Sequence, residues 1–209
     1  MVGTLAEAAA EAIGANALLA KVGSYYHDIG KLMKPEYFSE NETGISRHDA
    51  IRPTMSALII TAHVKDGGEM AREYGLPPAI VSMIEQHHGS SLVSYFYHRA
   101  RKQAKGEAAV AEASFRYPGP VPQSVEGALV MMADSVEAAT RSLEDPTPAH
   151  IRRLVHDLIM NRLLDHQLDG SELTLLDLEQ VEEAFFRVLT SMFHSRVKYP
   201  GQEEKRRRR

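Results

Sequence analysis

The sequence contains no cysteine, and this absence limits the kinds of site that the chain can build. Without cysteine there is no disulfide, no thiolate ligand for a metal and no thiol nucleophile. Any metal site must therefore be built from histidine, aspartate and glutamate, and the ten histidines of the chain supply that chemistry readily. The absence of cysteine also fits a reducing compartment.

Long apolar runs and a strong net charge are absent as well. No run approaches the roughly 20 residues that a membrane-spanning helix needs, and no signal-peptide pattern is visible. The net charge of −4 gives no general attraction to nucleic acid, so we expect no DNA partner. The expected location is cytoplasmic. The basic end, residues 201–209, is predicted to be a disordered tail, with contact to anionic lipid head groups as the alternative.

Apolar residues recur at helical spacing along most of the chain, and no strand pattern extends beyond a few residues. We therefore predict one all-α domain over residues 1–200. The loop at 34–48 is predicted to lie beside the functional site as a rim or lid. The predicted helices cover residues 5–13, 16–28, 49–63, 69–74, 79–88, 91–105, 124–143, 148–164 and 175–197.

The pair His27-Asp28, followed by Gly30 and Lys31, is a candidate metal site. An imidazole beside a carboxylate suits a divalent metal, but the pair alone is weak, because His-Asp recurs twice elsewhere in the chain. Further candidates stand near predicted helix ends, and a carboxylate inside an apolar helix needs a positive partner, a metal or a salt bridge. The metal-ligand candidates are His27, Asp28, His63, His87, His88 and Asp134.

The order His-Asp, His, His-His, Asp, with the string HDIGK, resembles the HD-domain metal-dependent phosphohydrolases. A closer resemblance is to the cytoplasmic HD domain of the seven-transmembrane-receptor HD family, which hydrolyses the second messenger cyclic di-AMP. It covers nearly the whole chain and implies a helical bundle with a metal site at converging helix ends. The segments that carry it are YYHDIGK, LIITAHVKDG, IEQHHGSSLVSYFYH, FRYPGP, ADSVEAATRSL and FHSR.

The resemblance implies two divalent transition metal ions, with iron or manganese expected. Asp28 would bridge them, while His27 and Asp134 would hold the first. His63, His87 and His88 would hold the second. Two cations sharing a carboxylate lower the pKa of a water between them and stabilise charge on an attacked phosphate. The implied reaction is opening of cyclic di-AMP to linear pApA by metal-activated hydroxide.

Contacts to the substrate are less sharply indicated. Lys31 is expected to hold a substrate phosphate and so to act with Asp28 in catalysis. Arg47 and Lys65 could line the same opening, with solvated surface charge as the alternative. Tyr95 and Arg99 could stack on or clamp a nucleobase, with ordinary packing and exposure as the alternative.

The family pattern also contains one earlier histidine, which would fall before Met1, and membrane helices upstream of the HD domain. We therefore expect a first metal site that is weakened, and a full-length form joined to an N-terminal membrane region. Two alternatives follow: a nucleotide-binding regulatory module with little or no turnover, or a hydrolase of another nucleotide.

Overall fold

The computed structural model describes residues 1–41, 44, 46–104, 110–141, 143 and 146–194. The predicted tail at 201–209 lies outside these residues. In the described part the chain forms α-helices and short 3-10 turns, with a single isolated bridge between Leu92 and Arg116 and no strand. The predicted all-α class is confirmed. The α-helices are α1 (Val2–Ile13), α2 (Ala17–Tyr26), α3 (Pro53–Glu73), α4 (Pro78–Gln86), α5 (Ser94–Gln103), α6 (Val125–Thr140), α7 (Pro148–Leu164) and α8 (Leu175–His194).

Helix α6 is the centre of the main core. Leu129, Met132 and Val136 on this helix are almost completely inaccessible to solvent. Helices α1, α2 and α7 pack against it, and α8 packs against α1 and α7. Because α6 is enclosed in this way, a polar side chain that it directs toward the neighbouring helices is held in place with little access to water. Asp134 is such a side chain.

Several helix starts follow from local sequence. The side chain of Asn16 accepts a hydrogen bond from the amide of Leu19, at 3.0 Å, and caps α2. Ser124 and Thr147 cap α6 and α7 in the same way. Each cap satisfies a backbone N–H that a helix start leaves without an intrahelical partner. These caps set where α2 and α6, which carry or precede site residues, begin.

The prediction of two helices at 49–63 and 69–74 is wrong, because α3 runs without a break from Pro53 to Glu73. The Gly67-Gly68 pair serves close packing instead of ending a helix. The turn at Ile29–Met33 presses against α3, and a methyl group on Gly30 would collide with the carbonyl oxygen of His63 and the amide of Gly67. His63 therefore lies in the middle of a helix and faces the HDIGK turn.

None of the helices in the described part combines the length and apolar character that crossing a membrane requires.

Candidate metal centre

The six predicted ligands come from four places in the fold. His27 and Asp28 follow the last residue of α2, and His63 lies midway along α3. His87 and His88 follow the end of α4, while Asp134 lies in α6. Packing of α2, α3, α4 and α6 brings these side chains together, as helical bundles commonly do when they build a site.

Asp28 lies at the centre of the group. Its Oδ1 is 3.4 Å from Nε2 of His63 and 3.6 Å from Nε2 of His87, and its Oδ2 is 3.1 Å from Nε2 of His27. Nε2 of His27 is in turn 3.5 Å from Oδ1 of Asp134. The side chains therefore form two clusters that share Asp28. The four-residue cluster is Asp28, His63, His87 and His88, and the three-residue cluster is His27, Asp28 and Asp134.

Three of the imidazoles are oriented in the same way. Nδ1 of His27 lies 2.7 Å from the carbonyl oxygen three residues earlier, and the same distance is 2.6 Å for His63 and 2.8 Å for His87. A carbonyl oxygen can only accept, so each Nδ1 carries the proton and donates it. The Nε2 atoms then face Asp28. Such a hydrogen bond on the far nitrogen is how proteins usually fix metal-binding histidines.

Two buried polar atoms have no partner in the protein, and a bound cation would provide one for each. Nε2 of His27 and Oδ1 of Asp28 are inaccessible to solvent and find no hydrogen-bond partner among the described residues. Buried polar atoms without partners are rare and call for an explanation, such as an ion. The donor set of imidazole nitrogens and carboxylate oxygens suits zinc, manganese or iron. The residues present thus fit divalent cations at both clusters.

Protonation in the clusters is set by burial and by neighbouring charge. Burial lowers the pKa of His27, but the neighbouring carboxylates of Asp134 and Asp28 prevail and raise it to about 10. Burial, together with His87, lowers the pKa of His63 to about 4. Burial disfavours the charged form of Asp28, yet His27 and His87 hold its pKa well below the usual range. Asp28 is therefore an anion and His63 a neutral imidazole at neutral pH, as metal ligands must be.

Lys31 connects the clusters to the adjoining loop. Its Nζ is 2.7 Å from Oδ2 of Asp28 and 2.8 Å from Oε1 of Glu40, and it lies over the ring of Phe38. Burial lowers the pKa of Lys31, and the charge of Asp28 more than compensates, so that the pKa is raised overall. Lys31 is therefore a cation held directly beside the clusters.

A cavity of about 550 Å³ opens beside the clusters, within the size range of small-molecule sites. Of the predicted substrate contacts, Lys31, Tyr95 and Arg99 line this cavity. Tyr95 is 68% exposed, and Arg99 pairs with Asp49 at 3.0 Å. The cavity wall contains cationic, acidic and aromatic side chains, among them Lys31, Phe38, Glu40, His48, Asp49, Tyr95, Phe96, Arg99, Tyr117, Asp134 and Arg141.

Arg47 and Lys65 are not among the residues that line the cavity. Arg47 lies 3.6 Å from Glu36, and Lys65 lies 3.6 Å from Glu69 on the same helix. Both side chains are largely exposed. Their contact with a substrate stays a prediction, and the structure gives each of them a surface ion pair instead.

Two side chains at the site were not predicted from the sequence. Tyr117 stacks on His88 with ring centroids 4.3 Å apart. Arg162 in α7 donates from Nε and Nη2 to the hydroxyl of Ser135, the residue after Asp134, at 3.1 and 2.9 Å. Tyr117 stood in the FRYPGP segment, but no periodic pattern pointed to its role. No feature of the sequence around Arg162 distinguishes it from an ordinary surface arginine of a helix.

Together the fold and the site define an all-α domain whose converging helices gather histidines and aspartates suited to divalent cations beside a large cavity. The chain belongs to the HD domain family, whose profile matches residues 1–139. Domains of this family bind divalent metals.

Individual relatives agree with this membership. The chain is 46% identical over 206 residues to the cyclic-di-AMP phosphodiesterase PgpH of Bacillus subtilis, covering 98% of this chain and 29% of that protein. It is 42% identical over 205 residues to the PgpH of Listeria monocytogenes, covering 98% of this chain and 28% of the relative. The chain thus spans less than a third of the length of these relatives. The predicted resemblance is confirmed.

Solved structures give the same result. The crystal structure of the HD domain of L. monocytogenes PgpH superimposes with a TM-score of 0.86 at 42% identity, covering 93% of this chain and 90% of that chain. The same domain in complex with cyclic di-AMP superimposes with a TM-score of 0.87 at 42% identity, covering 92% and 89% of the two chains.

Proposed function

We propose that this chain is a metal-dependent phosphodiesterase domain that opens cyclic di-AMP to the linear dinucleotide pApA. The observation that carries the proposal is the pair of His/Asp clusters that share Asp28 and adjoin the cavity. The names of the PgpH relatives and the cyclic di-AMP complex of the Listeria domain support the choice of substrate.

The geometry supports a role for each ligand. His27 and Asp134 would hold one cation, His63, His87 and His88 the other, and Asp28 would contact both. Two bound cations supply Lewis acidity at the phosphate and lower the pKa of a nearby water. The family resemblance implies iron or manganese, and both metals accept mixed imidazole and carboxylate ligands.

Other residues of the chain act on the substrate itself. Lys31 stands beside Asp28 with its ammonium group facing the cavity wall, where a phosphate oxygen can replace Glu40 as a partner. Exchanging one anion for another keeps the charge of Lys31 balanced in a partly buried place. Tyr95 and Arg99 offer an aromatic face and a guanidinium group for an adenine. Base stacking on such side chains contributes about 1–3 kcal/mol for each base.

Turnover is the test of this function. The full chain, loaded with Mn²⁺, is incubated with cyclic di-AMP, and the products are separated by liquid chromatography. We expect pApA to accumulate, and we expect cyclic di-GMP to be cleaved more slowly. The matched control is Glu183→Gln, which breaks an exposed ion pair with Arg152 outside the cavity and should form pApA at the rate of the parent.

A regulatory binding module would give a different result. Calorimetry would then detect tight binding of cyclic di-AMP to the Mn²⁺-loaded chain while no pApA forms over hours. Binding of another nucleotide with faster hydrolysis would instead identify a different substrate. Either outcome would refute the proposed reaction.

A further inference from the structure

His88 differs from the other histidines of the clusters in how its ring is held. Nδ1 of each of the other three donates to a carbonyl oxygen of its own chain turn, which fixes the ring. Neither ring nitrogen of His88 makes a hydrogen bond to any described residue. Something other than a hydrogen bond must set its orientation.

The ring of Tyr117 covers His88 on one side. The two rings lie 4.3 Å apart between centroids and are inclined by only 27°, which is a stacked arrangement. Tyr117 also meets His63 edge-on at 6.0 Å. It is only 8% exposed, and it contributes to the cavity wall. Tyr117 thus touches two of the three histidines of the four-residue cluster.

Tyr117 is itself fixed by the backbone. We name residues 115–119 the strap, because they run antiparallel along the turn that follows His88. The amide of Tyr117 donates to the carbonyl of Ser91, and the amide of Gly119 donates to that of Gly89, each at 3.0 Å. At the other end the amide of Val93 donates to the carbonyl of Phe115 at 2.8 Å.

A side-chain ion pair secures the strap to the segment that follows α7. The guanidinium of Arg116 reaches both carboxylate oxygens of Asp165, at 2.9 and 3.1 Å, just beyond the end of α7. Arg116 also donates to the carbonyl of Ser90 at 2.9 Å. The strap is therefore held at both ends, and the ring of Tyr117 has little freedom to leave His88.

We infer that Tyr117 is a positioning residue which, by stacking, holds the ring of His88 in the orientation that ligates a cation in the four-residue cluster. Aromatic stacking replaces the hydrogen bond that orients the other three histidines. The stacked face, and not the hydroxyl group, performs this role. The inference rests on the proposed function only through the cation, and it makes no claim about the nucleotide.

The test measures Mn²⁺ binding alone, with no nucleotide present. Calorimetry is carried out on the full chain carrying Asp134→Asn, which weakens the three-residue cluster and leaves the four-residue cluster to report. In this background Tyr117→Leu removes the stacked ring, and we expect Mn²⁺ affinity to fall by about tenfold or more, as for other groups that orient metal ligands. Tyr117→Phe keeps the ring, and its affinity should stay within about twofold of the parent. A failure to hydrolyse cyclic di-AMP would leave these values unaffected.

Two results would overturn the inference. The first is that the Leu variant binds Mn²⁺ with the same affinity as its parent. The second is that the Phe variant loses as much Mn²⁺ affinity as the Leu variant, which would assign the role to the hydroxyl group. If the Leu variant does not fold, proton NMR of the metal-free parent and of Tyr117→Phe decides the matter. Stacking requires the ring protons of His88 to be shifted upfield in both proteins, and ordinary shifts would refute it.

Discussion

The contact between Gly30 and α3 gives the sharpest prediction about how the fold maintains the site. Gly30 lies two residues after Asp28, and it presses against α3 where His63 lies. A Cβ at position 30 would come within 2.6 Å of the amide nitrogen of Gly67, and closer still to the carbonyl oxygen of His63. We therefore expect Gly30→Ala to force the HDIGK turn and α3 apart.

The size of the effect follows from the distances. Ordinary van der Waals contact begins near 3.4 Å, so the two backbone segments must separate by about 0.8 Å at Gly67 and by more at His63. Overpacking of this kind costs roughly 3 kcal/mol at the upper end of its range. For a chain of this size each kcal/mol lowers Tm by about 2–4 °C, which gives a decrease of roughly 10 °C. The gap of 3.4 Å between Asp28 and His63 would widen as well.

The assay combines thermal unfolding with Mn²⁺ calorimetry. We expect Gly30→Ala to lower Tm by the amount above and to weaken Mn²⁺ binding by about 100-fold, the upper end of the loss typical of groups that support metal ligands. Gly127→Ala is the matched control, because its Cβ would meet only the side chains of Ser124, at 3.1 Å, and Pro122, at 3.6 Å, and no backbone of the HDIGK turn or of α3. A Gly30→Ala protein with the stability and Mn²⁺ affinity of the wild type would refute the reasoning.

Three further predictions concern the clusters themselves. Asp28→Asn keeps the shape of the side chain but removes its charge from both clusters. The Mn²⁺ bound per chain, measured by plasma emission, should fall to near zero while the circular dichroism spectrum stays native. Retained Mn²⁺ would exclude Asp28 as a ligand shared by the two clusters. Lys31→Ala should raise KM for cyclic di-AMP by about tenfold or more, because a hydrogen bond to a charged group contributes about 1.5–3 kcal/mol; its metal content should not change, and loss of metal would show that Lys31 supports the clusters instead. The pKa of His27, raised to about 10, means that a cation entering at pH 7 must displace its proton. The Mn²⁺ affinity should therefore rise about tenfold per pH unit between pH 7 and 9, and calorimetry in buffers of different ionisation enthalpy should detect close to one proton released. A pH-independent affinity would contradict the assignment of His27 as a ligand.

The same pKa shift has a consequence for stability in the metal-free protein. The folded-state pKa of His27 lies above its ordinary value of 6.5, so folding favours the protonated ring. The stabilisation that results is complete below about pH 6.5 and is lost as the pH rises through about 10.

Much of the helical architecture was predictable because the signals are local. Periodic apolar residues predicted α7 with the bounds Pro148–Leu164 that the structure has. The caps at Asn16, Ser124 and Thr147 lie next to the helices that they start. α3 was mispredicted for a reason that is equally physical. Glycine pairs usually interrupt helices, and only the approach of a distant turn explains why this pair does not.

For the site, sequence alone identified which residues to consider, since an order of histidines and aspartates is visible without coordinates. The sequence could not show that Tyr117 and Arg162 lie at the site. Nor could it show that Arg47 and Lys65 lie outside the cavity lining. These placements depend on which segments meet across long stretches of chain, as the strap meets the turn after His88. Residue types and helix periods are properties of neighbouring positions, and so the sequence determined them. The distances around Asp28, the stacking on His88 and the shape of the cavity arise only when helices from both halves of the chain pack together, and the tertiary structure alone decided them.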